Sequence, residues 1–184
     1  MAKLIMWNLL SLDGCYDSEQ PWELSWHLNV WGDELQEFSL TQLRTAGMLL
    51  FGRKTYEGMA AYWSSETGEI ADFMNSLPKA VVSRALSTVD WAGTRILSGD
   101  LREEIEGIKA STEGDIFVFG SGELCQSLMA LKLFDEYRIG IAPVIQGSGR
   151  RLFEGEGVDE LLHLEEMIQH STGCVILRYS ATEV

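Results

Sequence analysis

Three short stretches of the sequence place small or hydroxyl residues and cations directly after apolar runs. Glycine lets a ligand approach the backbone, and the free N–H groups at the start of a helix bind anions. Arginine and lysine side chains add positive charge. The three stretches together predict a site for a phosphorylated ligand. The residues concerned are Gly52, Arg53, Lys54, Thr55, Ser83, Arg84, Gly120, Ser121, Gly122 and Glu123.

A dinucleotide is the ligand that these stretches favour. Its phosphates would lie at residues 120–122 and 52–55, and a 2′-phosphate would lie near Arg53 or Arg84. The alternative is that Arg53, Lys54 and Arg84 only balance carboxylates on the protein surface. The formal net charge is −14, so any bound anion requires a local cationic pocket.

Other catalytic and metal-binding patterns are missing. Cys125 stands where the G-x-G-x-x-G pattern needs its third glycine, and there is no G-x-x-x-x-G-K-[ST] loop. His27, His163 and His170 lack the spacing of metal ligands, so we expect no metal site. G-x-S-x-G is also absent, and the sequence therefore indicates no hydrolase.

Three further residues are candidates for contact with a substrate. Asp13 follows the first apolar run and precedes Gly14, where it would orient a substrate or a nicotinamide carboxamide; alternatively it is a turn residue that bonds its own backbone. Trp22 and Trp26 lie in an aromatic stretch that reads as a loop. They would cap a flat ring, or they would pack a loop onto the core.

The elements that must position these residues follow from the apolar pattern. Short runs at 4–10, 48–51, 80–82, 95–97 and 116–119 alternate with helical patterns. Strands that are apolar on both faces and separated by helices are typical of a parallel sheet covered on two sides. The predicted class is α/β, with the ligand at the carboxyl ends of the strands.

The remaining patterns complete a single predicted domain, 1–184. Residues 33–46 have a helical stripe with Asp33 as the N-cap, and a second helical stripe follows Asp100. A strand is predicted over 137–145. The runs 161–170 and 174–180 flank a glycine-containing connection, which predicts an antiparallel hairpin.

Composition excludes several classes of partner. A net charge of −14 and a pI near 4.5 disfavour nucleic acid and anionic lipid, which bind basic surfaces. The three cysteines are odd in number and far apart, so no disulfide framework is indicated. No apolar run is long enough to span a membrane. A reducing cytoplasm is the expected compartment.

An ordered set of motifs resembles the dihydrofolate reductase-like family, which includes the C-terminal reductase domain of the bacterial riboflavin biosynthesis protein RibD. The set covers nearly the whole chain and is most similar to the small stand-alone members. Its motifs are Ser11-Leu12-Asp13-Gly14, Phe51 to Glu57, Leu77 to Arg84, Phe117 to Gly122, Phe134 to Tyr137 and Pro143 to Phe153.

The resemblance implies a three-layer α/β fold with a mostly parallel sheet and an antiparallel C-terminal strand. It also implies NADPH as hydride donor and a homodimer. By motif position, residues 52–55 contact the adenosine-side phosphates with help from Ser83 and Arg84, and residues 120–123 hold the pyrophosphate region. Asp13 would lie near the nicotinamide and the substrate.

The predicted function is an NADPH-dependent oxidoreductase that reduces a small pterin- or pyrimidine-like heterocycle by hydride transfer. In dihydrofolate reductase a carboxylate on the first helix binds the pterin, whereas here Asp33, Glu34 and Glu37 do not align cleanly with that position. One alternative is therefore a catalytically silent dimeric nucleotide-binding protein of the same fold. Another is an α/β interaction module that binds no nucleotide.

Overall fold

A mostly parallel sheet with helices on both faces forms the framework of the chain. A computed structural model describes residues 1–18 and 25–182. The strands are β1 (Leu4–Leu10), β2 (Cys15–Asp17), β3 (Ala46–Gly52), β4 (Lys79–Val82), β5 (Thr94–Leu97), β6 (Asp115–Phe119), β7 (Glu136–Ile141), β8 (Arg150–Arg151), β9 (Leu162–Gln169) and β10 (Val175–Ala181). The helices are α1 (Asp33–Thr45), α2 (Arg53–Trp63), α3 (Glu69–Ser76), α4 (Leu101–Ser111) and α5 (Gly122–Ala130), and a short 3-10 helix spans Ser25–Asn29.

Eight strands form the main sheet, in the order β5-β4-β3-β6-β1-β7-β10-β9. The pairings from β5 across to β7 are parallel, whereas β10 is antiparallel to β7 and to β9. The predicted α/β class and C-terminal hairpin are therefore confirmed. The small strands β2 and β8 pair with each other outside this sheet, and the sequence pattern did not indicate them.

Both faces of the sheet are covered by helices, which gives three layers. Leu4 and Met6 of β1 pack on the face covered by α4 and α5. Ile5 points to the opposite face, where Leu43 of α1 and Met74 of α3 belong to the same buried cluster. A strand between two helical layers must be apolar on both sides, which explains the continuous apolar run that predicted β1.

Two predicted boundaries are wrong, each for a local reason. The strand expected over 137–145 ends at Ile141, because Pro143 lacks the N–H group that a strand ladder requires. Helix α1 begins at Asp33, so Gly32 is the N-cap instead of Asp33. By contrast, Asp100 caps α4, since its side chain accepts hydrogen bonds from the N–H groups of Arg102 and Glu103.

Within the described residues, every helix is too short or too polar to cross a bilayer.

Substitution of Gly47 tests the packing at the start of β3. A Cβ atom at this position would overlap the backbone carbonyl of Glu113, which cannot move as a side chain can. We expect Gly47→Ala to destabilise the protein by about 2 kcal/mol or more, as overpacking does. Urea unfolding measures the change.

Gly107 is the control. It lies on the exposed side of α4 and has no atom within 4 Å of an added Cβ, so Gly107→Ala should stabilise the protein by about 0.5 to 1 kcal/mol. Equal effects at the two glycines would contradict this interpretation.

Candidate active site

A cleft of about 710 Å³ opens at the carboxyl-end edge of the parallel strands. All ten residues of the three sequence stretches described above line this cleft. They meet there because β3, β4 and β6 are parallel and lie close together in the sheet, so each strand ends at the same edge. The predicted common location of the three stretches is therefore confirmed.

Two helices begin at the cleft with N-termini that no side chain caps. Helix α2 starts after Gly52 and helix α5 starts after Ser121, and neither N-cap residue accepts a hydrogen bond from its own helix. The two turns are joined directly, since the Gly52 N–H donates to the Ser121 hydroxyl at 3.1 Å. Uncapped N–H groups and the two helix dipoles make this part of the cleft favourable for an anion.

The turn between β6 and α5 has an unusual backbone. Gly120 and Ser121 both have positive φ values, 62° and 57°, in the left-handed region that non-glycine residues seldom occupy. Gly122 must lack a side chain for a different reason, because a Cβ would overlap the ring of Tyr16. The Asn8 side chain donates to the Gly120 carbonyl at 3.3 Å and so braces the turn from β1.

Positive charge is concentrated at this end of the cleft. Four cationic side chains and two carboxylates are found among its described lining residues, a local excess of two positive charges in a chain of net charge −14. They are Arg53, Lys54, Arg84, Arg150, Asp17 and Glu123. We define this region, which includes the three turns, as the phosphate end of the cleft. Its charge is that of an anion-binding pocket.

Glu123 pairs with two of these cations. Its carboxylate accepts from Lys54 Nζ at 2.7 Å and from Arg150 at 3.3 Å, and these contacts, with the Lys54 hydrogen bond first, lower the pKa of Glu123. Arg150 also pairs with Asp17 and stacks over the ring of Tyr16. An ionised carboxylate repels phosphate, so Glu123 is suited to positioning Lys54 and Arg150 and not to direct contact with a phosphate.

The other predicted residues at the phosphate end differ in whether their side chains already have a partner within the protein. Arg53 pairs with Glu57, one turn along α2, at 3.1 Å. Ser83 is buried, and its hydroxyl accepts from the N–H groups of Ala85 and Leu86, both at 3.1 Å. Arg84 is exposed and forms no ion pair with any described residue. It is therefore the cation most available to a ligand.

The cleft continues into a largely apolar region between α1 on one side and α2 and α3 on the other. We call this region the slot. Its apolar lining residues are Trp7, Trp31, Leu35, Leu43, Met59, Trp63, Ile70 and Met74. Three uncharged polar side chains join them, Asn8, Ser39 and Gln42. Such a lining suits a flat ring held by a few hydrogen bonds.

The sequence prediction missed most of the slot. On α1, Leu35, Ser39, Gln42 and Leu43 follow the i, i+4, i+7, i+8 spacing of one helix face, and this spacing was a usable signal. By contrast, Arg150 reaches the site from β8, a two-residue strand that no sequence pattern indicated.

Asp13 is not among the described residues that line the cleft. Its carboxylate instead accepts from the backbone N–H groups of Gln146 and Gly147, at 3.1 and 2.8 Å. The Ser11 hydroxyl and these two N–H groups lower the pKa of Asp13 to about 2. Asp13 therefore connects the end of β1 to the loop before β8. It bonds backbone groups, as the turn alternative predicted, but those groups are distant in sequence and not its own.

The structure also places the tryptophans differently from the prediction. Trp26 is only 6% exposed, packs in a cluster with Val30 and Leu35, and is not among the described residues that line the cleft. Trp31 lines the cleft and is 48% exposed, so it has the position that was expected for Trp26. Trp22 lies outside the described residues.

The histidines occupy three different environments. His27 lines the cleft, His163 is exposed on β9, and His170 is buried near Phe38. Burial lowers the pKa of His27 to about 4, and the charge of Asp17 opposes this shift only in part. Residues 1–18 and 25–182 contain no group of three or more His, Cys, Asp or Glu side chains that could hold a metal ion.

The fold and the cleft define a dihydrofolate reductase-like α/β protein. Dihydrofolate reductase from Enterococcus faecalis, complexed with NADP(H) and RAB-propyl, superimposes with a TM-score of 0.65 at 13% identity, over 99% of this chain and 97% of that one. A protein from Shewanella sp. PV-4, with a provisional assignment to riboflavin biosynthesis, gives a TM-score of 0.82 at 18% identity over the whole of both chains.

The family itself is shown by sequence. The model of the RibD C-terminal domain matches residues 2–177, and the chain belongs to that family. The uncharacterized protein YyaP of Bacillus subtilis (strain 168) is 26% identical over 156 residues, which cover 82% of this chain and 80% of YyaP. The resemblance stated from the motifs is thus confirmed.

The pH dependence of stability tests the environment of His27. Between pH 6.5 and about 4 the unfolded chain protonates His27 and the folded chain does not, so stability falls as the pH drops through this range. His27→Gln should lose roughly 2 kcal/mol less than the parent between pH 7 and pH 4. Urea unfolding at both pH values measures the difference. The exposed control His163→Gln should follow the parent, and a His27→Gln variant that also follows the parent would contradict the assignment.

Proposed function

We propose that this chain is an NADPH-dependent reductase that transfers hydride to a small, flat heterocycle of the pterin or pyrimidine class. The observation that carries the proposal is one cleft with two unlike ends. A cationic end with two uncapped helix N-termini is continuous with an uncharged aromatic slot. A phosphorylated coenzyme that carries a flat reactive ring has the same two-part chemistry.

The residues at the phosphate end fit NADPH. The N–H groups that start α2 and α5 would hold the pyrophosphate. Arg84, which has no ion pair among the described residues, and Arg53 would hold the 2′-phosphate. NADPH supplies the hydride when it is bound. The protein's part is to orient the two rings and to exclude water from the slot.

The proton that accompanies hydride transfer is proposed to come from water. Asp13 is ionised above a pH of about 2 and lies outside the described lining of the cleft, so it does not serve as a general acid. Asp17 and Glu123, the two carboxylates among the described residues that line the cleft, are both ion-paired with Arg150 at the phosphate end.

A catalytically silent nucleotide-binding protein is the second candidate. It is favoured by the lack of a carboxylate in the described lining of the slot. In either case the homodimer stays a prediction, and the exposed Leu164 and Met167 on the edge strand β9 are consistent with it.

Coenzyme oxidation distinguishes the two candidates. The protein is titrated with NADPH by calorimetry and then incubated with NADPH and a panel of pterins, pyrimidines and quinonoid compounds. A reductase should bind NADPH and oxidise it steadily, as loss of absorbance at 340 nm, with at least one member of the panel. Binding without turnover would favour the silent protein. No heat with millimolar NADPH would refute both.

Substitution of Arg53 tests the phosphate end. If Arg53 contacts the 2′-phosphate, Arg53→Ala should weaken NADPH binding by roughly 1.5 to 3 kcal/mol and leave NADH nearly unchanged, because NADH lacks that phosphate. Calorimetric titration of both coenzymes measures the change. Arg102→Ala is a matched control, since Arg102 forms an i, i+4 pair with Glu106 on α4 and is not among the described residues that line the cleft. Equal losses for NADPH and NADH would refute the assignment.

A further inference from the structure

One face of α1 forms a wall of the slot. Leu35, Ser39, Gln42 and Leu43 lie along this face, from near the N-terminus of the helix to its last turn. Helix α1 leads into β3, whose first residues lie far from the carboxyl-end edge of the sheet. Gln42 is therefore deep in the slot, and we call its surroundings the floor.

None of the carboxylates of α1 faces the slot. Asp33 is exposed at the start of the helix, and Glu37 forms an exposed ion pair with Arg44 at 2.6 Å. Glu34 accepts hydrogen bonds from the backbone and the hydroxyl of Ser171, in the turn between β9 and β10. Helix α1 thus presents neutral polar groups, and no negative charge, to a ring in the slot.

Gln42 is the buried polar group of the floor. It is 1% exposed, and its Oε1 atom accepts from Arg138 Nη1 at 3.4 Å. This contact fixes the orientation of the amide, because the opposite orientation would place two donors against each other. Arg138 is fixed in turn by the carboxylate of Glu136, at 2.7 Å.

The other end of the same amide is unsatisfied. Gln42 Nε2 is buried and has no hydrogen-bond partner within the part of the chain that the structure describes. A buried donor without an acceptor is costly, and buried polar groups in folded proteins are nearly always paired. A ligand acceptor in the slot would remove this cost.

The charges around the slot define the ring that fits. The cations that line the cleft, Arg53, Lys54, Arg84 and Arg150, are all at the phosphate end, and the slot has neither a cation nor a carboxylate among its described lining residues. Such a slot favours an uncharged ring, since an ion would lose its hydration without gaining a partner.

We propose that Gln42 selects the ring of the substrate, by donating from Nε2 to a carbonyl oxygen of an uncharged, flat heterocycle. The inference rests on the proposed function, and it narrows the substrate class of that site. A ring with amino groups in place of carbonyls is disfavoured, because it would bring an N–H group against the N–H group of Gln42. Gln42 acts as a specificity-determining residue that touches the substrate.

Two pteridines of the same size test the proposal. Lumazine carries carbonyl groups at positions 2 and 4, and 2,4-diaminopteridine carries amino groups there. Each is titrated by calorimetry into protein saturated with NADP⁺, which occupies the phosphate end without turnover. We expect lumazine to bind at least fivefold more tightly than the diamino compound.

Variants of Gln42 link this preference to the amide. Gln42→Glu replaces the donor by a carboxylate and should reverse the preference, and Gln42→Met, which has no N–H group, should reduce it to less than twofold. The matched control is Gln36→Glu on the exposed side of the same helix, which should keep the parent preference. The NADP⁺ affinity of each variant shows whether the fold and the phosphate end are intact.

The outcomes separate the inference from the proposed function. If NADP⁺ binds but the two pteridines bind equally, or if neither binds, the inference is overturned and the coenzyme site stands. If Gln42→Glu and Gln36→Glu behave alike, Gln42 does not select the ring. If NADP⁺ itself fails to bind, the proposed function is overturned, and the pteridine comparison on the free protein still decides the role of Gln42. The comparison on the parent chain needs no variant to fold.

Discussion

The parallel pairing of β4, β3 and β6 is the constraint on which the site depends. Parallel strands end at one edge, so the turns that follow them are brought together although they lie far apart in sequence. Each turn then leads away from the sheet, and two of them start helices whose first N–H groups face the same cleft. The hydrogen bond from the Gly52 N–H to the Ser121 hydroxyl joins two of these turns directly.

The charge at the carboxyl-end edge of the sheet differs from that of the chain as a whole. A chain of net charge −14 repels anions at long range, so a phosphorylated ligand must gain its affinity from nearby groups. Lys54 and Arg150 are held in place by Glu123, which limits their free motion before a ligand arrives. The same carboxylate reduces the positive charge of the pocket.

The inner face of helix α1 makes the slot chemically different from the phosphate end. Its charged residues face solvent or neighbouring loops, and its inner face adds only apolar and neutral polar side chains to the slot. The network from Glu136 through Arg138 to Gln42 extends this arrangement from β7 to the floor. The position of the Gln42 amide thus depends on the ion pair between Arg138 and Glu136 in β7.

Local patterns in the sequence predicted the eight strands of the main sheet, helices α1 and α4 and the three turns at the phosphate end, but not β2 and β8. Apolar periodicity and glycine positions are local properties, and the run from Leu4 to Leu10 predicted β1 without error. The tertiary structure alone decided which side chains meet. Arg150 reaches Glu123 from a two-residue strand, and Asp13 is bound by backbone groups 133 and 134 residues away, so it ties two loops together instead of lining the cleft. Trp31 takes the place expected of Trp26 because the 3-10 helix buries Trp26 against α1. Such contacts depend on how distant elements pack, and no local pattern encodes that packing.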